Sequence, residues 1–192
     1  MPRLLAATVA APIGHELAAL AEALARVTVR LRAGVGGEGC GVVWREGLVI
    51  SNAHVVRGPR TEARLRSGET LALRLLARDT DLDLALLAAP TRLTPAPLGD
   101  AETLRAGELV VALGHPLGVP NAAALGVVHR LVRDERGALR WISADLQLAP
   151  GNSGGPLAGV DGKVLGINTL MSGGRGFAVP APVVERFLRE AA

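Results

Sequence analysis

Gly39-Cys40-Gly41-Val42-Val43-Trp44 and, a few residues on, Leu48-Val49-Ile50-Ser51-Asn52 are short runs of Val, Leu and Ile bounded by Gly and Asn. That is strand grammar, and it extends outward in both directions, with Gly, Asn and Asp recurring every ~8–12 residues as in an all-β barrel or sandwich. The first half of the chain holds candidate strands at Val27–Ala33, Gly39–Trp44, Leu48–Asn52, Ala63–Arg66, Thr70–Arg78 and Asp83–Ala89. The second half holds Leu109–Gly114, Ala123–Val132, Leu139–Asp145, Gly155–Ala158, Lys163–Leu170 and Gly176–Pro180. Ser67-Gly68, Arg136-Gly137 and Asp161-Gly162 sit between apolar runs as turns. The Pro-containing stretch Pro90–Asp100 reads as the crossover between the halves. Abundant Leu and Ala lean toward helix, so here the punctuation must outweigh propensity.

Helices are expected only at the ends. In His15–Ala25, Leu17, Leu20 and Leu24 recur at helical spacing with Glu16 in the first turn. Pro182–Arg189 is apolar at Val183, Val184, Phe187 and Leu188, a helix able to dock by one face. Ahead of the first helix, Arg3 and the apolar Leu4–Ile13 have too little charge and too indistinct a cleavage site for a secretory signal. They read as a short, poorly ordered tail, which favours a cytoplasmic location.

The 192 residues are 49% hydrophobic and 20% charged, which is enough apolar matter for a packed core and excludes intrinsic disorder. No apolar run reaches the roughly 18 residues of a spanning helix. Cys40 is the single cysteine, so neither an internal disulfide nor a thiolate zinc cage can form. It reads as a small buried hydrophobe on a strand, with a redox-sensitive thiol as the other reading. The pI of 10.3 belies a net charge of only +3. With every basic residue but Lys163 an Arg, and no Tyr, little titrates between neutrality and the Arg range. Four scattered aromatics (Trp44, Trp141, Phe177, Phe187) and no block of like charge argue against nucleic-acid binding.

Chemistry concentrates in Pro150-Gly151-Asn152-Ser153-Gly154-Gly155-Pro156. A nucleophilic serine needs an exposed hydroxyl at a tight turn with backbone N–H groups converging beside it. Glycines at 151, 154 and 155 allow such a turn and leave room for a substrate backbone. The serine needs a base, and His54 ends an apolar strand in Ser51-Asn52-Ala53-His54-Val55-Val56. His15, His115 and His129 read instead as surface or turn residues. For the acid that orients the imidazole, Asp79, Asp81 and Asp83 all compete on chemistry alone.

These boxes, in the order His, Asp, Ser, resemble the chymotrypsin-fold serine peptidases, and more closely the bacterial HtrA/Deg-type proteases. Gly39–Trp44 and Gly47–Val56 carry the likeness, with Arg78-Asp79, Asp83-Leu84-Ala85-Leu86-Leu87, Leu98-Gly99-Asp100 and Gly114-His115-Pro116-Leu117-Gly118. Val164–Thr169 and Gly176–Pro180 continue it after the serine. The resemblance implies an all-β fold of two six-stranded antiparallel barrels, with a short N-terminal and a C-terminal helix. One peptidase domain would span residues 1–192, with His54 and Asp83 in the 1–96 barrel and Ser153 in the 97–192 barrel. It selects Asp83 from the DLALL box, giving a His54, Asp83, Ser153 triad, and an oxyanion hole at Gly151, Asn152 and Ser153 with the Gly151 and Ser153 N–H groups as donors. It places the substrate pocket at Gln147, Leu148, Asn168, Thr169, Leu170 and Gly176. Gln147 stands where trypsin-like enzymes keep an acid, so cleavage after small or medium aliphatic residues of unfolded polypeptides is expected, with no cofactor and no metal.

Several features depart from the family. HtrA-type proteases usually carry a PDZ domain after the peptidase, and this chain ends with the closing helix. Many form trimers through aromatics near the N-terminus, and no aromatic precedes Trp44, so the assembly state stays open. The Leu131–Trp141 and Met171–Arg175 loops are short. Asn152 replaces the aspartate that digestive relatives pair with a new N-terminus, which argues against activation by propeptide cleavage. Family members of this type also occur in the cell envelope or periplasm. The alternative function is a catalytically silent, peptide-binding pseudo-protease.

Overall fold

Leu48–Ser51 and Leu84–Ala88 are buried on both faces, which is why they read as continuous apolar runs rather than alternating ones. One face fills a barrel and the other meets its neighbour. The structure, a computed structural model, describes residues 3–33 and 37–191. The first barrel comprises β1 (Thr28–Ala33), β2 (Gly37–Arg45), β3 (Leu48–Ser51), β4 (Arg60–Arg64), β5 (Thr70–Asp79) and β6 (Leu84–Ala88), closed in the order β1-β2-β3-β6-β5-β4. The second comprises β7 (Leu109–Gly114), β8 (Ala122–Arg133), β9 (Leu139–Asp145), β10 (Pro156–Gly159), β11 (Val164–Ser172) and β12 (Arg175–Pro180), closed as β10-β11-β12-β9-β8-β7. All barrel pairings are antiparallel. Bulges such as those at Val43/Arg45 and Leu75/Ala77 bend the strands enough to close.

Each barrel has its own interior: Val29, Leu31, Val43, Val49, Leu73 and Leu87 in the first, Val110, Ala112, Ile142 and Leu157 in the second. A third layer lies between them. Val42, Trp44, Ile50, Leu84 and Leu86 project from the first barrel against Val111, Leu113, Ile167 and Val179 of the second. Strand alternation makes this division, sending Val43 and Val49 inward while Val42, Trp44 and Ile50 face the other barrel. The crossover 90–100 runs without regular structure and is tied to both barrels, Ala96 N–H donating to Val43 O (2.8 Å) and Val164 N–H to Pro97 O (2.8 Å).

Two expectations shift. The fourth strand is Arg60–Arg64, not Ala63–Arg66. Its buried face is only Thr61 and Ala63, too small to stand out as an apolar run, while Leu65 opens a turn whose carbonyl accepts from Gly68 N–H (2.9 Å). The N-terminal helix, α1, runs Arg3–Val27 through Pro12, where a tail before a short helix was expected. Leu and Ala are strong helix formers, and a proline removes one hydrogen bond without abolishing the flanking turns. Leu20, Leu24, Ala25 and Val27 anchor its C-terminal end in the layer between the barrels. The closing helix α2 (Ala181–Glu190) buries Val183, Val184, Phe187 and Leu188 there too. No helix among the described residues is long and apolar enough to cross a membrane.

Candidate active site

Asp83, the turn residue just before β6, has a positive φ of 53°, a conformation Asp tolerates better than most residues. The preceding turn sorts the three acids. Asp79 Oδ1 accepts from the N–H groups of Asp81 and Leu82 (2.8 Å each) and so closes the turn. Asp81 is exposed, and its carbonyl accepts from Arg140 (3.2 Å). Only Asp83 reaches His54: its Oδ2 lies 2.8 Å from Nδ1, and its Oδ1 accepts the His54 backbone N–H at 3.1 Å. Thr169 Oγ1 donates to the same carboxylate (2.5 Å), and Asn52 Nδ2 holds the Asp83 carbonyl (2.9 Å).

Burial raises the Asp83 pKa, but the hydrogen bonds from His54 and Thr169 outweigh it and leave the carboxyl below its ordinary range. Asp83 is therefore ionised at neutral pH and can only accept. That places the imidazole proton on His54 Nδ1 and leaves Nε2 with a lone pair. His54 is half exposed, on the wall of a cleft of about 420 Å³ that also holds Ser153. Ser153 Oγ donates to Thr169 O (3.0 Å) and not to the imidazole.

Close backbone contacts dictate the glycine frame around Ser153, one with the other barrel and one within its own. At Gly154 (φ +83°) a Cβ would lie 2.0 Å from Cys40 O, and at Gly151 (φ +104°) 2.4 Å from His115 O. Side chains are excluded at both. Cys40 N–H donates to Ser153 O (2.7 Å), tying the serine to the barrel that carries His54. Pro150 O accepts from Leu117 N–H (3.1 Å), and Asn152 O accepts from Gly155 N–H (3.0 Å). In a trans peptide the N–H points opposite to the C=O, so these tethers turn the Gly151 and Ser153 N–H groups the other way. Neither makes a hydrogen bond among the described residues, whereas Asn152 N–H is engaged by Ala149 O (3.0 Å). Of the three positions expected at the oxyanion hole, Asn152 has no free donor on its backbone.

Of the expected pocket residues, Leu148, Thr169 and Leu170 line the cleft. Gln147 is exposed and outside it, since strand alternation at the end of β9 turns Leu146 inward instead. Asn168 is buried, donating to Pro156 O (2.8 Å), and Gly176 is buried against Leu146. Val55, Arg57, Met171 and Glu38 line the cleft without having been expected there. Glu38 faces a cation, both its oxygens meeting Arg30 Nη2 (2.6 and 2.7 Å). No local pattern marks that pair. His15 and His129 are exposed, as expected, but His115 is buried, with its Nδ1 accepting from Asn121 N–H (3.0 Å). Cys40 is buried, its Sγ 3.1 Å from Gly151 O, and burial pushes its thiol up to about 12. Among the described residues no cluster of three or more His, Cys, Asp or Glu could hold a metal ion.

Two six-stranded barrels with a His–Asp pair on one and a glycine-framed serine on the other define the chymotrypsin-like class. The chain belongs to the trypsin-like peptidase domain family, which matches residues 39–167. It is 37% identical over 159 residues to serine protease HTRA1B of Danio rerio, covering 78% of this chain and 33% of that protein. It is 37% identical over 157 residues to the mitochondrial serine protease HTRA2 of Bos taurus, covering 77% and 34%. Among solved structures, the HtrA-type protease AlgW with decapeptide superposes with a TM-score of 0.80 at 25% identity, covering 91% of this chain and 66% of that one. The chain thus spans about a third of the length of these curated relatives.

Proposed function

We propose that this chain is a serine endopeptidase acting through His54, Asp83 and Ser153, its two barrels working as one catalytic unit. The observation that carries the reading is the Asp83 carboxyl bound to His54 Nδ1, with His54 lining the cleft that holds Ser153. Ser153 Oγ leaves the Thr169 carbonyl, gives its proton to His54 Nε2 and attacks the scissile carbonyl. The Gly151 and Ser153 N–H groups receive the oxyanion, each worth roughly 3–4 kcal/mol in the transition state. His54 returns the proton to the leaving amine, and water then hydrolyses the acyl-enzyme by the same route. HtrA-type relatives support polypeptide substrates, and an extended strand is the form that fits a cleft between two barrels.

The Ser153–Thr169 hydrogen bond favours one alternative, a pseudo-protease that binds peptides without turnover. A fluorophosphonate separates the two, because only an activated serine reacts with it. Stoichiometric labelling located at Ser153 by mass spectrometry is the expected result, lost in Ser153→Ala together with nearly all peptidase activity. No adduct on the folded wild type, or a tenth of wild-type turnover left in Ser153→Ala, removes the assignment.

A further inference from the structure

Behind the loop that carries the Gly151 tethers lies a second cavity, of about 310 Å³, whose wall includes Arg30, Arg64, Arg66 and His115. No carboxylate is among the described residues that line it. Arg30 on β1 and Arg64 on β4 are direct register partners, a like-charge pairing that destabilises a sheet. Two residues along, the same strands set Arg32 opposite Glu62, so opposite charges are accommodated where no cavity intervenes. Arg30 is neutralised in part by Glu38 through Nη2, while its Nε is buried without a partner among the described residues. Arg66 engages Glu22, but Arg64 makes no ion pair or side-chain hydrogen bond among the described residues. His115 adds a second, independent sign. It is only 5% exposed, and because its Nδ1 accepts from Asn121 N–H, the ring proton sits on Nε2. That Nε2 donor has no acceptor among the described residues, a state folded proteins seldom leave buried.

We propose that this cavity is a binding site for a phosphate-class oxyanion, held by Arg64, Arg66 and Arg30 next to His115. Guanidinium forks match the paired oxygens of such a group, and the cavity wall carries three of them, on Arg30, Arg64 and Arg66. The inference stands apart from the peptidase reading, since none of the arginines takes part in that chemistry. Binding would also reach the active site, because the His115 backbone N–H donates to Gly151 O (3.1 Å).

Isothermal titration with inorganic phosphate, and separately pyrophosphate, at fixed ionic strength tests the site. Saturable binding of one ion per chain is expected for at least one of them. In Arg64→Gln/Arg66→Gln the affinity is expected to fall about tenfold or more, as for loss of charge-assisted hydrogen bonds. Arg60→Gln is the control, because Arg60 faces Arg74 across β4 and β5 but lines no part of this cavity. It should bind like wild type. No saturable binding of either anion, unchanged affinity in the double variant, or an equal loss in Arg60→Gln would overturn the proposal. Circular dichroism melts of all three proteins without anion verify that each is folded.

Discussion

Asp83 is distinguished from its neighbours by what it touches. A carboxylate that accepts from His54 Nδ1, the His54 backbone and Thr169 is satisfied on both oxygens, and each bond favours its charged form. Asn adopts positive φ about as readily as Asp, so Asp83→Asn preserves the turn while replacing an acceptor with an amide. The amide would favour the proton on the wrong imidazole nitrogen, and turnover is expected to fall about 10⁴-fold. Asp81→Asn, on an exposed side chain, is expected to leave turnover within a few-fold. Steady-state kinetics on an unfolded protein substrate reads both, and exchanged phenotypes would move the orienting acid to Asp81.

At the scale of elements, the helices secure the layer between the barrels and stay clear of the chemistry. Phe187 of α2 is 5% exposed in that layer, and Glu185 on the same helix accepts from Trp44 Nε1 (2.7 Å). Truncating a buried Phe to Ala removes transfer free energy and leaves a cavity, together about 3–5 kcal/mol. Phe187→Ala is therefore expected to lower the unfolding free energy by that amount, read as a lower denaturant midpoint at unchanged m. No residue of α2 lines the cleft, so turnover per folded molecule should match wild type. A fall in turnover under conditions where the variant is fully folded would show that α2 does more than pack. The strands behave differently, because the β11–β12 hairpin helps to build the cleft. It turns through Gly173 and Gly174, both at positive φ, and its short connection leaves Leu170 and Met171 beside the serine.

The whole molecule sets what the cleft can accept. Both barrels contribute walls, with Glu38, Val55 and Arg57 on one side and Leu148, Leu170 and Met171 on the other. Among the described residues that line the cleft Glu38 is the only carboxylate, and it is already paired with Arg30. A substrate Arg or Lys would lose hydration there without a partner, at several kcal/mol. Apolar side chains gain about 25 cal/mol per Å² instead. Cleavage after Val, Leu or Ala is the expected outcome on a denatured casein-like protein, read by mass-spectrometric mapping of the cut sites. A dominant preference for Arg or Lys would contradict it.

The sequence by itself determined the strand count and most strand positions, and it marked Ser153, His54 and three competing acids, Asp79, Asp81 and Asp83, as candidates. β7 and β9 fall where their apolar runs end, because a strand buried on one or both faces leaves a local signature of hydrophobicity and bounding turns. The Ser153 turn is legible for a similar reason, since its glycines answer a backbone need written over adjacent residues. Only the tertiary structure decided the register of β4, whose small buried side chains leave no such signature, and the extent of α1. It alone joined Thr169 to Asp83, Glu38 to Arg30, Cys40 to Gly151 and Leu117 to Pro150. It also buried His115, which reads as a surface or turn residue. Most of these contacts join residues tens of positions apart, and several cross between strands or between barrels. A residue's own neighbourhood in the chain encodes which face it occupies, but its distant partner exists only once both barrels have closed.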